Sequence, residues 1–213
     1  MPNPIDFNLY LITDRHQVPA GRTLLGTVEA ALRGGVRAVQ LREKDLTAAE
    51  LFPLAGELRS LTRRFNAHLL INDRIDVALA VDADGVHLGG HSLPVAVARH
   101  LLGQNRLLGV STHHPDEVAA AARDGADFAT FGPVFATPSK LAYGQPCGPE
   151  LLARGCAAAS LPVFALGGIK EDTLPLLRNR GAHGIAVIAA IVAAETPDEA
   201  ARSLLFRWAK SSS

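Results

Sequence analysis

Short apolar runs alternate with stretches of helical spacing along almost the whole sequence. The apolar runs lie at residues 9–13, 38–41, 69–71, 85–88, 107–110, 128–131, 163–166 and 184–188, and helical spacing is clearest at 24–32, 48–65, 95–102, 115–123 and 197–208. Most apolar runs are continuous, which is typical of parallel strands that are covered on both faces. Several helical stretches end in glycine just before the next run, at positions 34–35, 103, 125 and 181.

The segments AALRGGVRAVQL, AARDGADFATFG and LLRNRGAHGIAVI repeat the same order of helix end, glycine, small residue and apolar strand. One strand and one helix fill each period, and eight such units predict a single-domain α/β fold, the (β/α)8 TIM barrel, over residues 1–213. Residues 210–213 are predicted to be a disordered tail, and residues 74–81 leave room for only a short helix. A doubly wound open sheet is the alternative, although no G-x-G-x-x-G motif follows the first run, where Asp14-Arg15-His16 stands.

Charge and composition exclude several classes of protein. The formal net charge is zero, so neither nucleic acid nor a strongly cationic partner is predicted. No apolar run approaches the roughly 20 residues of a membrane helix, and residues 1–7 lack the pattern of a signal peptide. Cys147 and Cys156 lack metal-type spacing, which favours a reducing, cytoplasmic location. The oligomeric state stays open at this point, with a homo-oligomer as one alternative.

Polar residues are predicted to crowd the carboxyl ends of the strands, where barrel enzymes place their active sites. The amino ends are expected to carry mostly Gly, Ala and Pro. The carboxyl ends carry Asp14; Gln40, Arg42 and Lys44; Asn72, Asp73 and Arg74; His87, His91 and Ser92; Ser111, His113 and His114; Thr137, Ser139 and Lys140; Gly167 and Gly168. This asymmetry predicts an enzyme or a specific small-molecule binder.

The segment VQLREK, residues 39–44, begins as a buried strand and ends with charged groups. Residues i, i+2 and i+4 of a strand share one face, so Gln40, Arg42 and Lys44 are predicted to point the same way. An amide and two cations suit a substrate with several anionic oxygens, above all a diphosphate. The alternative is a solvated strand end with an ion pair to Glu43.

Asn72-Asp73 follows the third apolar run. A carboxylate and an amide at a barrel mouth suit Mg²⁺, which takes one or two carboxylates together with substrate phosphate. The alternatives are an Asp73–Arg74 ion pair or a cap for the following helix.

Gly167-Gly168 is predicted to end the seventh strand and open a helix, a position where backbone N–H groups bind phosphate. Residues 135–148 form a long connection that could act as a lid, from which Thr137, Ser139 and Lys140 would reach phosphate oxygens. His113 or His114 is predicted to face the pocket and move a proton; the alternative for each is a solvated or capping histidine.

These segments together resemble the thiamin phosphate synthase and TenI superfamily. The resemblance extends over residues 9–201 and rests on YLITD (10–14), VQLREK (39–44), LLINDRIDVALAVDADGVHLG (69–89), GVSTH (109–113), FGPVFATPSK (131–140) and PVFALGGI (162–169). It implies a (β/α)8 enzyme of thiamin biosynthesis that joins hydroxymethylpyrimidine diphosphate to thiazole phosphate and releases diphosphate.

The resemblance also implies roles for individual residues. Gln40, Arg42, Lys44 and Asn72 would hold the diphosphate, and Asp73 would bind Mg²⁺. Ser111 and Lys140 would contact the pyrimidine, whereas Thr137, Ser139 and Gly168 would hold the thiazole phosphate.

Ser92 stands where the synthase pattern has a second Mg²⁺-binding aspartate. This difference leaves two alternatives open. One is a TenI-type tautomerase that aromatises a thiazole phosphate with His113 as the proton carrier. The other is a non-catalytic thiamin-pathway binder or regulator.

Overall fold

The computed structural model describes residues 5–137 and 145–210. Eight parallel strands form a closed barrel in sequence order, which confirms the predicted (β/α)8 fold and rules out the open sheet. The strands are β1 (Leu9–Ile12), β2 (Ala38–Leu41), β3 (His68–Asn72), β4 (Gly85–Leu88), β5 (Leu107–Thr112), β6 (Phe128–Phe131), β7 (Val163–Leu166) and β8 (Gly184–Val187).

Helices follow the strands and cover the outside of the barrel. They are α1 (Leu24–Arg33), α2 (Ala48–Arg64), α3 (Ile75–Ala80), α4 (Val95–Leu102), α5 (Pro115–Arg123), α6 (Gly148–Ala157), α7 (Leu174–Asn179), α8 (Ala189–Val192) and α9 (Pro197–Lys210). The short helix expected after β3 is α3. Throughout residues 5–137 and 145–210, every helix falls short of the length and hydropathy that crossing a bilayer requires.

The barrel interior has an apolar lower layer and a polar upper layer. The lower layer is largely aromatic and comprises Phe7, Tyr10, Leu70, Leu107, Phe128 and Phe164, all buried. Phe7 stacks on Phe164 with ring centroids 5.2 Å apart. Because inward-facing residues alternate along each strand, positions two residues further on lie in the upper layer, nearer the carboxyl ends. Gln40, Asn72, Gly109 and Thr130 occupy these positions, and Ser111 lies two residues beyond Gly109, closer to the mouth.

The amino ends of the strands carry charged residues, whereas mostly Gly, Ala and Pro were expected there from the sequence. Asp84, just before β4, accepts from the backbone N–H of Leu69 at 2.7 Å and pairs with Arg59 at 2.6 Å. Asp127, just before β6, pairs with Arg99 in the same way at 2.6 Å. These carboxylates fasten strands to helices, so charge at this end is structural.

The predicted tail begins one residue too early. Lys210 is the last residue of α9, and its ammonium lies 4.4 Å from the centroid of the Phe206 ring. A cation over an aromatic face one helical turn away extends the helix to this position. Residues 211–213 lie outside the described residues.

Candidate active site

The charged segment after β2 lies at the carboxyl end of the barrel. The strand ends at Leu41, so only Gln40 of the three residues lies in the strand; Arg42 follows directly after it, and Lys44 lies in an exposed turn. Gln40 is buried inside the barrel, and Arg42 is half-buried at its mouth. The three side chains therefore differ in burial, from buried Gln40 through half-buried Arg42 to exposed Lys44, and do not share one strand face.

Glu43 is buried and anchors this segment. The alternative of a solvated strand end is therefore wrong for residues 39–44. Its carboxylate accepts from the Thr13 hydroxyl at 2.6 Å and from the backbone N–H of Arg15 at 3.0 Å. Thr13 in turn accepts from the backbone N–H of Arg42 at 2.9 Å. The Arg15 guanidinium also lies 3.3 Å from Glu43. The loop after β1 thus fixes the backbone that carries Arg42.

Asp73 follows β3 and has φ of 60°, an uncommon conformation for a residue other than glycine. Its carboxylate accepts from Asn72 Nδ2 at 2.8 Å and from the hydroxyl of Ser92. The expected ion pair to Arg74 does not form, because Arg74 pairs with Asp76 instead. Among the residues that the structure describes, no arginine pairs with the Asp73 carboxylate at the mouth.

The residues around Asp73 fit Mg²⁺ only as part of a site shared with substrate. In the described part of the chain, no group of three or more His, Cys, Asp or Glu side chains lies close enough to hold a metal. Mg²⁺ needs no such cage when one carboxylate and substrate phosphates share its coordination. Asp73 would supply that carboxylate, and the side-chain carbonyl of Asn72 and the Ser92 hydroxyl are further hard oxygens nearby.

The loops after β6 and β7 lie against each other. Val134 donates its N–H to Leu166 O at 2.8 Å, and Phe135 donates to Gly167 O at 3.1 Å. Gly168 has φ of 66°, and a methyl group there would press on Phe135 and Ala136. Thr137 and Gly168 are consequently brought towards the same side of the mouth.

The structure corrects one expectation for these loops. Helix α7 begins only at Leu174, after a 3-10 turn at Glu171–Thr173, so Gly167-Gly168 does not open a helix. A phosphate at these glycines would rely on backbone N–H groups of the turn. Ser139 and Lys140 lie outside the described residues, as does the part of the predicted lid (residues 135–148) at 138–144.

Strand β5 carries Ser111 near its carboxyl end and stops at Thr112, one residue before His113. Ser111 is half-buried, and His113 follows two residues later with its Nδ1 2.5 Å from Gly132 O. His114 is the capping residue of α5, since its Nδ1 accepts from Asp116 N at 3.4 Å. Of the two histidines, His113 is therefore the one available to the site.

The sequence matches the family described as "Thiamine monophosphate synthase" over residues 9–191. The chain belongs to this family. A Geobacter sulfurreducens protein is 60% identical over 201 residues, which cover 94% of each chain. The "Thiamine-phosphate synthase" of Chlorobium luteolum is 47% identical, covering 96% of this chain and 94% of its own. A "Thiamine phosphate pyrophosphorylase" structure from Pyrococcus furiosus has a TM-score of 0.86 at 36% identity, covering 96% of both chains.

In this member of the thiamine monophosphate synthase family, a buried histidine lies directly beneath the candidate site. His87 is 2% exposed and lies 3.0 Å through its Nε2 from Ser111 Oγ. Burial lowers its pKa to about 3, while the charge of Asp73 raises the pKa and that of Arg42 lowers it. Arg42 and Asp73 thus both lie within electrostatic range of one buried ring.

The depressed pKa of His87 predicts an acid-sensitive fold. The unfolded chain binds a proton below about pH 6.5, whereas the folded chain does so only near pH 3. Stability contributed by neutral His87 is therefore present above pH 6.5 and lost as the pH falls towards 3, by about 1.4 kcal/mol per pH unit. Between pH 6 and 4.5, the free energy of unfolding should fall by about 2 kcal/mol more in the wild type than in His87→Gln. Urea unfolding of both proteins measures this difference, and parallel pH curves would contradict it.

Proposed function

We propose that this chain is a thiamine-phosphate synthase, a transferase that joins hydroxymethylpyrimidine diphosphate to thiazole phosphate. The observation that carries the proposal is that a cation and an anion, not paired with each other, follow the neighbouring strands β2 and β3 at one barrel mouth. Within residues 5–137 and 145–210, Arg42 forms no ion pair and Asp73 has no cationic partner, yet both act on His87. Unneutralised charges of both signs suit a diphosphate with a divalent cation.

The anionic part of the pyrimidine substrate would lie against β2 and β3. Arg42 supplies a planar set of N–H donors from a backbone that Thr13 and Glu43 hold in place. Lys44, Gln40 and Asn72 would complete the diphosphate contacts. Asp73 would hold Mg²⁺ there, and when bound, Mg²⁺ supplies positive charge that stabilises the departing diphosphate.

The remaining contacts come from the other half of the mouth. Ser111, with Lys140, would orient the pyrimidine ring, and Thr137, Ser139 and Gly168 would hold the thiazole phosphate. The bond between the pyrimidine methylene carbon and the diphosphate oxygen breaks, and the electron pair leaves with diphosphate. The thiazole nitrogen then forms the new bond to that carbon. Arg42 and Lys44 stabilise the charge on the leaving group, so no protein nucleophile is needed.

The names of the relatives support the synthase over the tautomerase. The Chlorobium luteolum and Chloroflexus aurantiacus proteins, at 47% and 46% identity, are both named thiamine-phosphate synthase. The charge pair also supports it, since a tautomerase substrate carries no diphosphate for Arg42 and Asp73 to bind. Free Cys147 and Cys156 support a cytoplasmic location, which we include in the proposal together with a homo-oligomeric state.

An assay with both substrates and Mg²⁺ tests the proposal. The purified chain should form thiamin phosphate and release diphosphate in equal amounts, and omission of either substrate should abolish both products. Absence of thiamin phosphate, together with thiazole phosphate tautomerisation that is lost in His113→Ala, would assign the tautomerase activity instead. Calorimetric binding of thiazole phosphate or thiamin phosphate without either reaction would indicate a binder or regulator.

Replacing Ser92 by aspartate should strengthen the metal site. Ser92 already contacts Asp73, so the variant places a second carboxylate beside the first. We expect the Mg²⁺ concentration for half-maximal activity to fall about tenfold, because ligand charge sets the affinity for hard cations. Like charges should also lower the melting temperature without metal, and Mg²⁺ should restore it. Ser92→Asn, which adds bulk without charge, is the control; a lower rate in Ser92→Asp alone, with no change in Mg²⁺ dependence, would contradict this role.

A further inference from the structure

A row of hydrogen-bonded side chains crosses the barrel just beneath the mouth. Gln40 Nε2 donates to Tyr10 Oη at 3.1 Å, and Tyr10 Oη lies 3.4 Å from His87 Nδ1. On the other side of the ring, His87 Nε2 lies 3.0 Å from Ser111 Oγ. Gln40, Tyr10 and His87 are at most 2% exposed, and Ser111 is the half-buried end of the row.

The direction of the protons in this row follows from its buried end. With Tyr10 Oη accepting from Gln40, its own proton has one acceptor within reach among the described residues, the Nδ1 of His87. If Nδ1 carried a proton in this arrangement, the fully buried phenol would have no acceptor there for its hydrogen, and an unsatisfied buried donor costs free energy. With the Gln40 amide in this orientation, His87 is the tautomer protonated at Nε2, and it donates to Ser111. Because Ser111 Oγ already accepts from His87, its own hydroxyl hydrogen can be donated to a group bound at the barrel mouth.

We propose that His87 is a positioning residue that sets the Ser111 hydroxyl as a hydrogen-bond donor towards the substrate. The site then selects a ring that presents a lone pair at that point, such as an aromatic ring nitrogen, and disfavours one that presents an N–H. This inference rests on the proposed function for the identity of the reaction, but the tautomer of His87 can be measured without any substrate.

Packing around the ring supports a fixed orientation. A methyl group at Gly109 would overlap both the Phe128 ring and His87 Nδ1, so only glycine leaves space for the imidazole there. The Tyr10 and Phe128 rings each lie 5.7 Å from the imidazole, measured between centroids. Thr130 Oγ1, at 3.5 Å from Nε2, is a more distant partner than Ser111.

If every hydrogen bond in the row ran in the opposite direction, the Ser111 hydroxyl would have a different role. If the Gln40 amide were rotated by 180°, Tyr10 would donate to Gln40, His87 would donate from Nδ1 to Tyr10, and Ser111 would donate to His87. The serine would then offer only lone pairs to the substrate. Amide and imidazole protons are set by such networks, so the tautomer distinguishes the two directions.

Nuclear magnetic resonance of the complete, 15N-histidine-labelled chain measures the tautomer. The chain has 8 histidines, so the His87 signals are identified by their loss in His87→Gln. At pH 7 we expect a protonated Nε2 and an unprotonated Nδ1. Ser111→Ala should shift the Nε2 signal more than the Nδ1 signal. A proton on Nδ1 would overturn the inference.

Kinetics test whether His87 acts through Ser111. His87→Leu should lower kcat/KM for the pyrimidine diphosphate by about 30-fold, with the KM for thiazole phosphate unchanged. His87→Gln should recover most of the rate, because its amide N–H can replace the Nε2–H donor. In the Ser111→Ala background, His87→Leu should change the rate less than about twofold.

If the effects of His87→Leu and Ser111→Ala on kcat/KM are additive, His87 acts by packing alone. The same conclusion follows if His87→Gln is no more active than His87→Leu. Thermal melts of each variant establish that it is folded before its rate is compared. A wild type without synthase activity would refute the proposed function, and the NMR result would then decide the donor direction separately.

Discussion

Replacing Asp73 by asparagine should lower kcat/KM for thiamin phosphate formation by about 10³-fold, equivalent to about 4 kcal/mol of transition-state stabilisation. Asparagine tolerates the left-handed backbone at φ of 60°, so the variant removes charge without straining the chain. It can still accept the Ser92 hydrogen bond. The loss should therefore come from the missing ligand for Mg²⁺ and should not be recovered by adding more of the ion.

Asp76→Asn is the matched control, because Asp76 is an exposed carboxylate three residues later that pairs with Arg74. Its rate should stay within about twofold of the wild type, since exposed ion pairs contribute little. Equal rates for Asp73→Asn and the wild type would remove this carboxylate, and the metal it would hold, from the mechanism.

Replacing Arg42 by methionine should lower kcat/KM by about 100-fold, because the departing diphosphate would lose charge-assisted hydrogen bonds of about 1.5–3 kcal/mol. Methionine keeps the length and apolar stem of the side chain, and the backbone bond from Arg42 N to Thr13 remains. The melting temperature should thus change little. Isothermal titration with inorganic diphosphate and Mg²⁺ should show weaker binding to the variant.

Arg63→Met provides the comparison, since Arg63 is an exposed arginine that pairs with Asp82 near the end of α2. It should bind diphosphate and turn over as the wild type does. Diphosphate affinity that falls equally in both variants would indicate nonspecific charge attraction rather than a site at Arg42.

The strand pattern was sufficient to predict the barrel. Continuous apolar runs at regular spacing, with glycine ending the helices before β2, β5, β6 and β8, match the observed elements to within one or two residues at most ends. The sequence does not specify α6 and α8, and it specifies only the end of α7, since α7 and α8 are only 6 and 4 residues long and give little periodicity. The amino-end carboxylates Asp84 and Asp127 were missed because their partners lie on other elements.

The supporting contacts of the site could not be derived in the same way. The hydrogen bond between Thr13 and Glu43 joins residues 30 apart in sequence, and the Tyr10–His87 contact joins residues 77 apart. Such pairs depend on the register of strands around the closed barrel, which a single sequence does not reveal. A useful signal was present, however, in the polar residues Gln40, His87 and Ser111 within apolar strands, because buried polar groups require partners.

A crystal structure of the chain with Mg²⁺ and inorganic diphosphate tests the central claim most directly. The account predicts diphosphate at the carboxyl end of the barrel, contacted by the Arg42 guanidinium, with Mg²⁺ between its oxygens and the Asp73 carboxylate. Diphosphate bound elsewhere on the molecule, or bound at the mouth with Arg42 and Asp73 turned away from it, would contradict the account.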